Sequence, residues 1–195
     1  MEQQRRILID ALERYGVLRG TFTLKSGATS SWFIDTKRAI CRAPVLAAVA
    51  ELTLAALDAR VSAIGGLTMG ADPVAFATAT LAQLRGRPLK AFSVRKEPKG
   101  YGQGGAIAGA LDADDLVCVV EDTPTRGTSL LAAVKVVRAS GASVVQTLAI
   151  VDRGGAAAQV VAPIPFVALV SAPELGLAFE GAESSQDSTA EGRAD

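Results

Sequence analysis

The sequence predicts an α/β protein with a central, mostly parallel sheet flanked by helices. Two observations carry this. From Val61 onward, short apolar runs alternate with helix-length segments, and strand–helix alternation implies parallel strands covered on both faces. The chain has 195 residues, 49% of them apolar and 21% charged, so one ordinary domain can bury a sizeable core. Only 5% are aromatic, and that core is therefore built mainly from Ala, Val, Leu and Ile.

Taken in order, Ile7, Leu8, Ala11, Leu12 and Tyr15 recur at helical spacing and give an opening amphipathic helix. Thr21–Lys25 and Trp32–Asp35 read as two short strands around a Ser26-Gly27 turn. Pro44 suits a first helical turn, and the Ala/Leu-rich run to Ala59 continues it. Strands follow at Val61–Ile64, Leu89–Val94, Leu116–Val120 and Ser143–Val151, with helices at Pro73–Leu84 and Ser129–Ala139. Arg95–Gly109 breaks the rhythm. It carries Arg95, Lys96 and Lys99 and then five glycines, which reads as a long, basic, mobile functional loop. The expected organisation is one domain over residues 1–179, with a small hood from about residues 1–40, and a disordered acidic tail over 180–195.

Composition excludes several chemistries. There is no histidine, which removes Ser-His-Asp and Cys-His catalysis and any histidine-bearing metal site. Cys41 and Cys118 are far apart and outside any CxxC pattern, as in a reduced cytoplasmic chain. The net charge of zero hides a split: residues 180–195 carry −4 and residues 1–179 carry +4. A mildly basic body suits an anionic ligand and is too weak to argue for nucleic acid. The N-terminus lacks a signal-peptide apolar region. Gly154–Pro173 is uncharged, but Pro163, Pro165 and Gln159 make it a buried segment rather than a membrane span.

The strongest motif is the apolar run Leu116–Val120 followed by Glu121, Asp122, Thr123, Pro124, Thr125, Arg126, Gly127, Thr128 and Ser129, and then a helix. A buried strand here delivers two carboxylates at its carboxyl end. The Thr/Gly/Ser stretch offers hydroxyls and N–H groups at a helix N-terminus, where a phosphate is favoured. Acids for sugar hydroxyls beside a nest for phosphate are what a phosphorylated ribose requires. The plain alternative is a βα turn with Ser129 as helix cap. A second pattern, Gly100–Gly105, fits the GxGxxG spacing of dinucleotide sites. It follows a charged loop, and Ala106–Leu111 is too short for the helix that motif must open.

The strand, acid pair and Thr-x-Gly-x-Ser loop resemble the phosphoribosyl pyrophosphate motif of type I phosphoribosyltransferases. Within that group the chain resembles the orotate phosphoribosyltransferase family, from the first helix to Phe179. Phe22–Gly27 is similar to the family's N-terminal signature, with Trp32-Phe33 at its aromatic positions. Gly65–Pro73 is similar to its second loop, Arg95–Lys99 to its flexible catalytic loop, and Val151-Asp152-Arg153 to the segment bearing its orotate-reading arginine.

The resemblance implies a type I phosphoribosyltransferase fold with an N-terminal hood and a flexible catalytic loop. It implies transfer of phosphoribose to orotate, giving orotidine 5′-monophosphate and pyrophosphate in pyrimidine synthesis. Catalysis would fall to Lys99, Glu121 and Asp122. Arg95, Lys96, Lys99 and Tyr101 would meet the pyrophosphate, with Mg²⁺ held mainly by the substrate near Asp122. Glu121 and Asp122 would face the ribose hydroxyls, and Thr123, Pro124, Thr125, Arg126, Gly127, Thr128 and Ser129 would cradle the 5-phosphate. Lys25, Trp32, Phe33, Thr125 and Arg153 would contact orotate, although Trp32 and Phe33 also suit a core. The family is dimeric, which implies a homodimer sharing sites through residues 95–109. Two departures stand out: Gly100-Tyr101 where members commonly carry Asp-His, and the cation Arg126 in the phosphate loop. They keep two rivals open: a paralogue acting on another carboxylated aromatic ring, and a non-catalytic nucleotide- or RNA-binding regulator of the same fold.

Overall fold

The computed structural model describes residues 1–23, 29–99 and 105–180. Its elements are, in chain order, α1 (Glu2–Ala11), a π-helical turn (Leu12–Gly16), β1 (Val17–Thr23), β2 (Thr29–Ile34), α2 (Thr36–Ile40) and α3 (Ala43–Ala56). There follow β3 (Ala63–Leu67), α4 (Asp72–Leu84), β4 (Lys90–Lys99), β5 (Gly105–Gly109) and β6 (Leu116–Glu121). The chain continues through α5 (Thr128–Ala139), β7 (Ser143–Asp152), α6 (Ala157–Val161), β8 (Phe166–Ser171) and a 3₁₀ turn (Ala172–Leu175).

Six strands form one sheet in the order β5-β4-β3-β6-β7-β8, parallel except for the antiparallel β4–β5 pair. Strand β6 displays why the sheet is covered twice. Cys118 and Val120 enter the core that includes Leu8, Val49 and Val74 from α1, α3 and α4, whereas Val117 and Val119 enter the one lined by Leu130, Val134 and Val137 of α5. All four of these β6 side chains are fully buried. Leu130, Val134 and Val137 recur every three or four residues, so one stripe of α5 meets the sheet. β1 and β2 form a separate antiparallel hairpin, braced by Phe22 against Phe33 with ring centroids 5.8 Å apart.

Several sequence-based element boundaries need correction, among them β2, which spans Thr29–Ile34 rather than Trp32–Asp35. Strand β3 begins at Ala63 rather than Val61 and runs through Gly65 and Gly66, because Val61 closes a turn onto the Asp58 carbonyl. Helix α3 ends at Ala56, short of Ala59. The first hairpin strand starts earlier, at Val17, and its expected end at Lys25 lies outside the described residues. The segment read as a basic loop is largely a β-hairpin, with Val94 opposite Ile107 and Lys99 opposite Gly105. The Arg95 guanidinium fastens it, donating to the carbonyls of Gly105 and Ile107 at 3.2 and 3.1 Å. Such a backbone ladder leaves no apolar period to read. The uncharged stretch after Gly154 holds α6 and edge strand β8. Among the described residues, no helix is long and apolar enough to cross a membrane.

Candidate active site

The connection β3–α4–β4 builds the sheet to one side and β6–α5–β7 builds it to the other. A crevice therefore opens where the neighbouring strands β3 and β6 end, the place where open α/β sheets take ligands. Glu121 ends β6 and Asp122 follows it into this crevice. The turn after β3 comes so close that a Cβ on Gly70 would lie 2.4 Å from Asp122 Oδ1. Any side chain at this position would push the Asp122 carboxylate aside.

Asp122 is buried, and Lys37 Nζ donates to its Oδ2 at 2.8 Å. Lys37 enters from α2, with Asp35 Oδ1 4.0 Å away, and the hydroxyls of Thr36 and Thr123 touch beside it. Partial burial works to lower the Lys37 pKa, but the hydrogen bond to and charge of Asp122 raise it overall. Glu121 behaves differently. Burial, followed by the neighbouring Asp122 charge, pushes its carboxyl far above the ordinary carboxylate range, and Lys37 and Lys96 only partly offset this. Its Oε2 is buried without a hydrogen-bond partner among the described residues. An acid pair with one buried, unpaired oxygen is ready to receive hydroxyl or cationic partners from a ligand.

Beyond the acids, Thr123–Arg126 lead to Gly127, whose φ of +71° places it in the left-handed region at the start of α5. That conformation turns the chain into the helix and leaves Thr128 and Ser129 exposed on its first turn, where N–H groups lack intrahelical acceptors. Pro124 is buried, Thr123 and Thr125 are half-buried, and Arg126 is exposed.

Arg153, just past β7, is only 7% exposed and its backbone N–H donates to the Pro124 carbonyl at 3.0 Å. Its guanidinium carbon lies 4.9 Å from the centroid of Trp32 and 5.1 Å from that of Phe33. Trp32 is thus both core and site wall: it is buried in the main core while its ring faces the arginine. Burial lowers the Arg153 pKa and the Glu180 carboxylate opposes that shift. Glu180 Oε2 is 2.6 Å from Arg153 Nε, and Thr125 Oγ1 donates to the same oxygen at 3.3 Å.

Of the remaining predicted positions, Lys96 is exposed on β4, on the arm that Arg95 fastens. Lys25, Tyr101 and the side chain of Lys99 lie outside the described residues. The structure thus brings Trp32, Phe33, Glu121, Asp122, Thr125 and Arg153 to one sheet edge.

A scan of the chain against models of known protein families finds no match. Individual proteins match strongly. An orotate phosphoribosyltransferase of Streptomyces avermitilis is 39% identical over 181 residues, covering 91% of this chain and all of that protein. The chain belongs to the orotate phosphoribosyltransferase family. The orotate phosphoribosyltransferase of Mycobacterium tuberculosis, solved with Fe(III) dicitrate, superposes with a TM-score of 0.76 at 37% identity, covering 89% of this chain and 99% of that one. The same enzyme solved with 5-phospho-α-D-ribosyl 1-diphosphate gives a TM-score of 0.73 at 35% identity, over 89% and 99% of the two chains.

Two side chains of this crevice, each paired with an expected site residue, escape a reading of the sequence. Lys37 is one; its only signal is a cation following Asp35-Thr36 after the aromatic pair. Glu180 is the other, since composition assigns it to the acidic tail.

Proposed function

We propose that this chain transfers the phosphoribosyl group of phosphoribosyl pyrophosphate to orotate, releasing pyrophosphate and forming orotidine 5′-monophosphate. The observation that carries the assignment of roles is the buried Arg153, flanked by Trp32 and Phe33 and placed beside the acid pair and the α5 N-terminus. A planar carboxylated ring suits that corner: the arginine fork matches its carboxylate and the aromatic rings match its faces. Lys25 and Thr125 complete this acceptor side.

The ribose and its phosphate take the other half. Thr123–Ser129 present hydroxyls and N–H groups to the 5-phosphate, and Glu121 and Asp122 receive the ribose hydroxyls. The transition state resembles a ribosyl cation with a departing anion, so positioning and charge stabilisation dominate. Lys96, Lys99, Tyr101 and the free edge of Arg95 face the pyrophosphate. Lys96 lies near enough to Glu121 to act on its charge, which supports its place beside the pyrophosphate-bearing carbon.

Mg²⁺ fits the donor set only as a partner of the substrate. No group of three or more metal-binding side chains occurs among the described residues, and Asp122 is the carboxylate beside the crevice that is already ion-paired. The ion would be held by pyrophosphate and ribose oxygens with Asp122 nearby, supplying neutralisation of the leaving group. Residues 1–179 act as one phosphoribosyltransferase domain, in the cytoplasm. The working unit is a homodimer whose 95–109 arms serve the neighbouring site. Its support is the edge position of the β4–β5 hairpin and the exposed apolar side chains Met69, Phe76 and Leu84.

Arg153→Ala tests the acceptor assignment. It weakens orotate binding by roughly 2–5 kcal/mol while leaving the KM for phosphoribosyl pyrophosphate close to that of the parent. An orotate KM that does not move would make Arg153 a turn residue.

A further inference from the structure

We infer that Glu180 is a residue of the acceptor site: its carboxylate occupies Arg153 while no acceptor is bound, and the acceptor's own carboxylate takes its place. The inference rests on the reading of Arg153 as the orotate-binding arginine.

Three contacts place Glu180 there. Its Oε2 lies 2.6 Å from Arg153 Nε, Thr125 Oγ1 donates to the same oxygen at 3.3 Å, and its backbone N–H donates to the Arg153 carbonyl at 3.1 Å. The pair is well shielded, with side-chain exposures of 8% for Arg153 and 13% for Glu180. The segment that delivers it is anchored: Leu175 and Leu177 are buried in the main core and Phe179 packs against it. Glu180 is therefore held over the arginine by the fold and does not reach it by chance from a solvated tail.

A buried guanidinium without a counter-ion is strongly unfavourable, so the free protein needs an anion at this point. Glu180 supplies one from the chain itself. It does so incompletely, because among the described residues neither Arg153 Nε nor Nη2 makes an aligned hydrogen bond despite the short ionic contact, and both nitrogens are buried. The Nε–Nη2 edge of the guanidinium is thus ion-paired but without an aligned acceptor among the described residues. A planar carboxylate arriving in the crevice satisfies both nitrogens at once, which a single oxygen of Glu180 does not. Exchange of one carboxylate for another also keeps the charge of the corner constant. Glu180 has both properties of a displaceable internal ligand: it covers the buried charge and binds it less well than the substrate.

The kinetic consequence has a definite sign. An internal competitor reduces the fraction of molecules open to the acceptor and raises the apparent orotate constant by the reciprocal of that fraction. Glu180→Gln and Glu180→Ala should both lower the orotate KM, by roughly fivefold if the pair is formed in most molecules. Combined with Arg153→Ala, Glu180→Ala should produce no further drop, because the competitor then has nothing to occupy. If both Glu180 variants keep or raise the orotate KM while Arg153→Ala weakens orotate, the Glu180 assignment is wrong and Glu180 merely holds the arginine in place. If Arg153→Ala itself leaves orotate unaffected, the acceptor reading falls and this inference falls with it. Melting curves of the variants with and without saturating orotate separate loss of folding from loss of competition.

Discussion

At the residue scale, the acid pair is organised by a side chain from the hood. Asp122 is almost enclosed, and its carboxylate direction is set by Lys37 from one side and by the close approach of Gly70 from the other. Burial, and then repulsion from the adjacent Asp122 carboxylate, raise the Glu121 pKa. Lys37 offsets the charge of both. If Asp122 receives the ribose hydroxyls as proposed, Lys37→Met should lower kcat by roughly tenfold or more, because the carboxylate is then misdirected, while Lys37→Arg restores part of the rate. Steady-state rates at saturating substrates decide it, and a Lys37→Met protein as active as the parent would reduce the ion pair to a surface contact.

At the element scale, the ends of β3, β4 and β6 are tied together away from the site by a second charged cluster. Asp115, 3% exposed, accepts from the Ser62 hydroxyl and from the Asp112 N–H, each at 2.7 Å, and pairs with Lys90 at 2.7 Å. Burial works to raise its pKa, but Lys90, the Asp112 N–H and the Ser62 hydroxyl together hold it below the ordinary value of 3.8. An acid with a depressed folded pKa contributes stability above about pH 3.8, and that contribution is lost as pH falls through the folded value. Asp115→Asn should cost about 2 kcal/mol at pH 7, and the gap between parent and variant should begin to narrow only below about pH 4. Melting temperatures from pH 2.5 to 7 test this; a constant gap would contradict the linkage. The same scale explains what was legible in the sequence. Strand β6 and helix α5 were plain because continuous burial and a three-to-four-residue stripe are local patterns. The β4–β5 hairpin was not, since a backbone ladder carrying Arg95, Lys96 and Lys99 looks like a solvated loop. β8 was missed because the flanking Pro163 and Pro165 hide a short edge strand, and the contacts of Lys37 and Glu180 join residues 85 and 27 positions apart.

At the scale of the whole molecule, the hood, the sheet edge and the hairpin arm must assemble for one reaction. If arms reach across a dimer, Lys99→Ala and Asp122→Asn disable different halves of each site. Mixing the two inactive proteins under subunit exchange should then return roughly a quarter of the parental activity, from mixed dimers that hold one intact site. No recovery despite demonstrated exchange would confine each arm to its own subunit. Whatever the assembly, the account stands or falls on the acceptor. Arg153 between Trp32 and Phe33 fits a flat carboxylated ring. The direct measurement is pyrophosphate release from phosphoribosyl pyrophosphate and Mg²⁺, with orotate and with other carboxylated aromatic rings supplied in turn. The account predicts release with orotate, matched mole for mole by orotidine 5′-monophosphate. Release with another ring and none with orotate at any pH would contradict it.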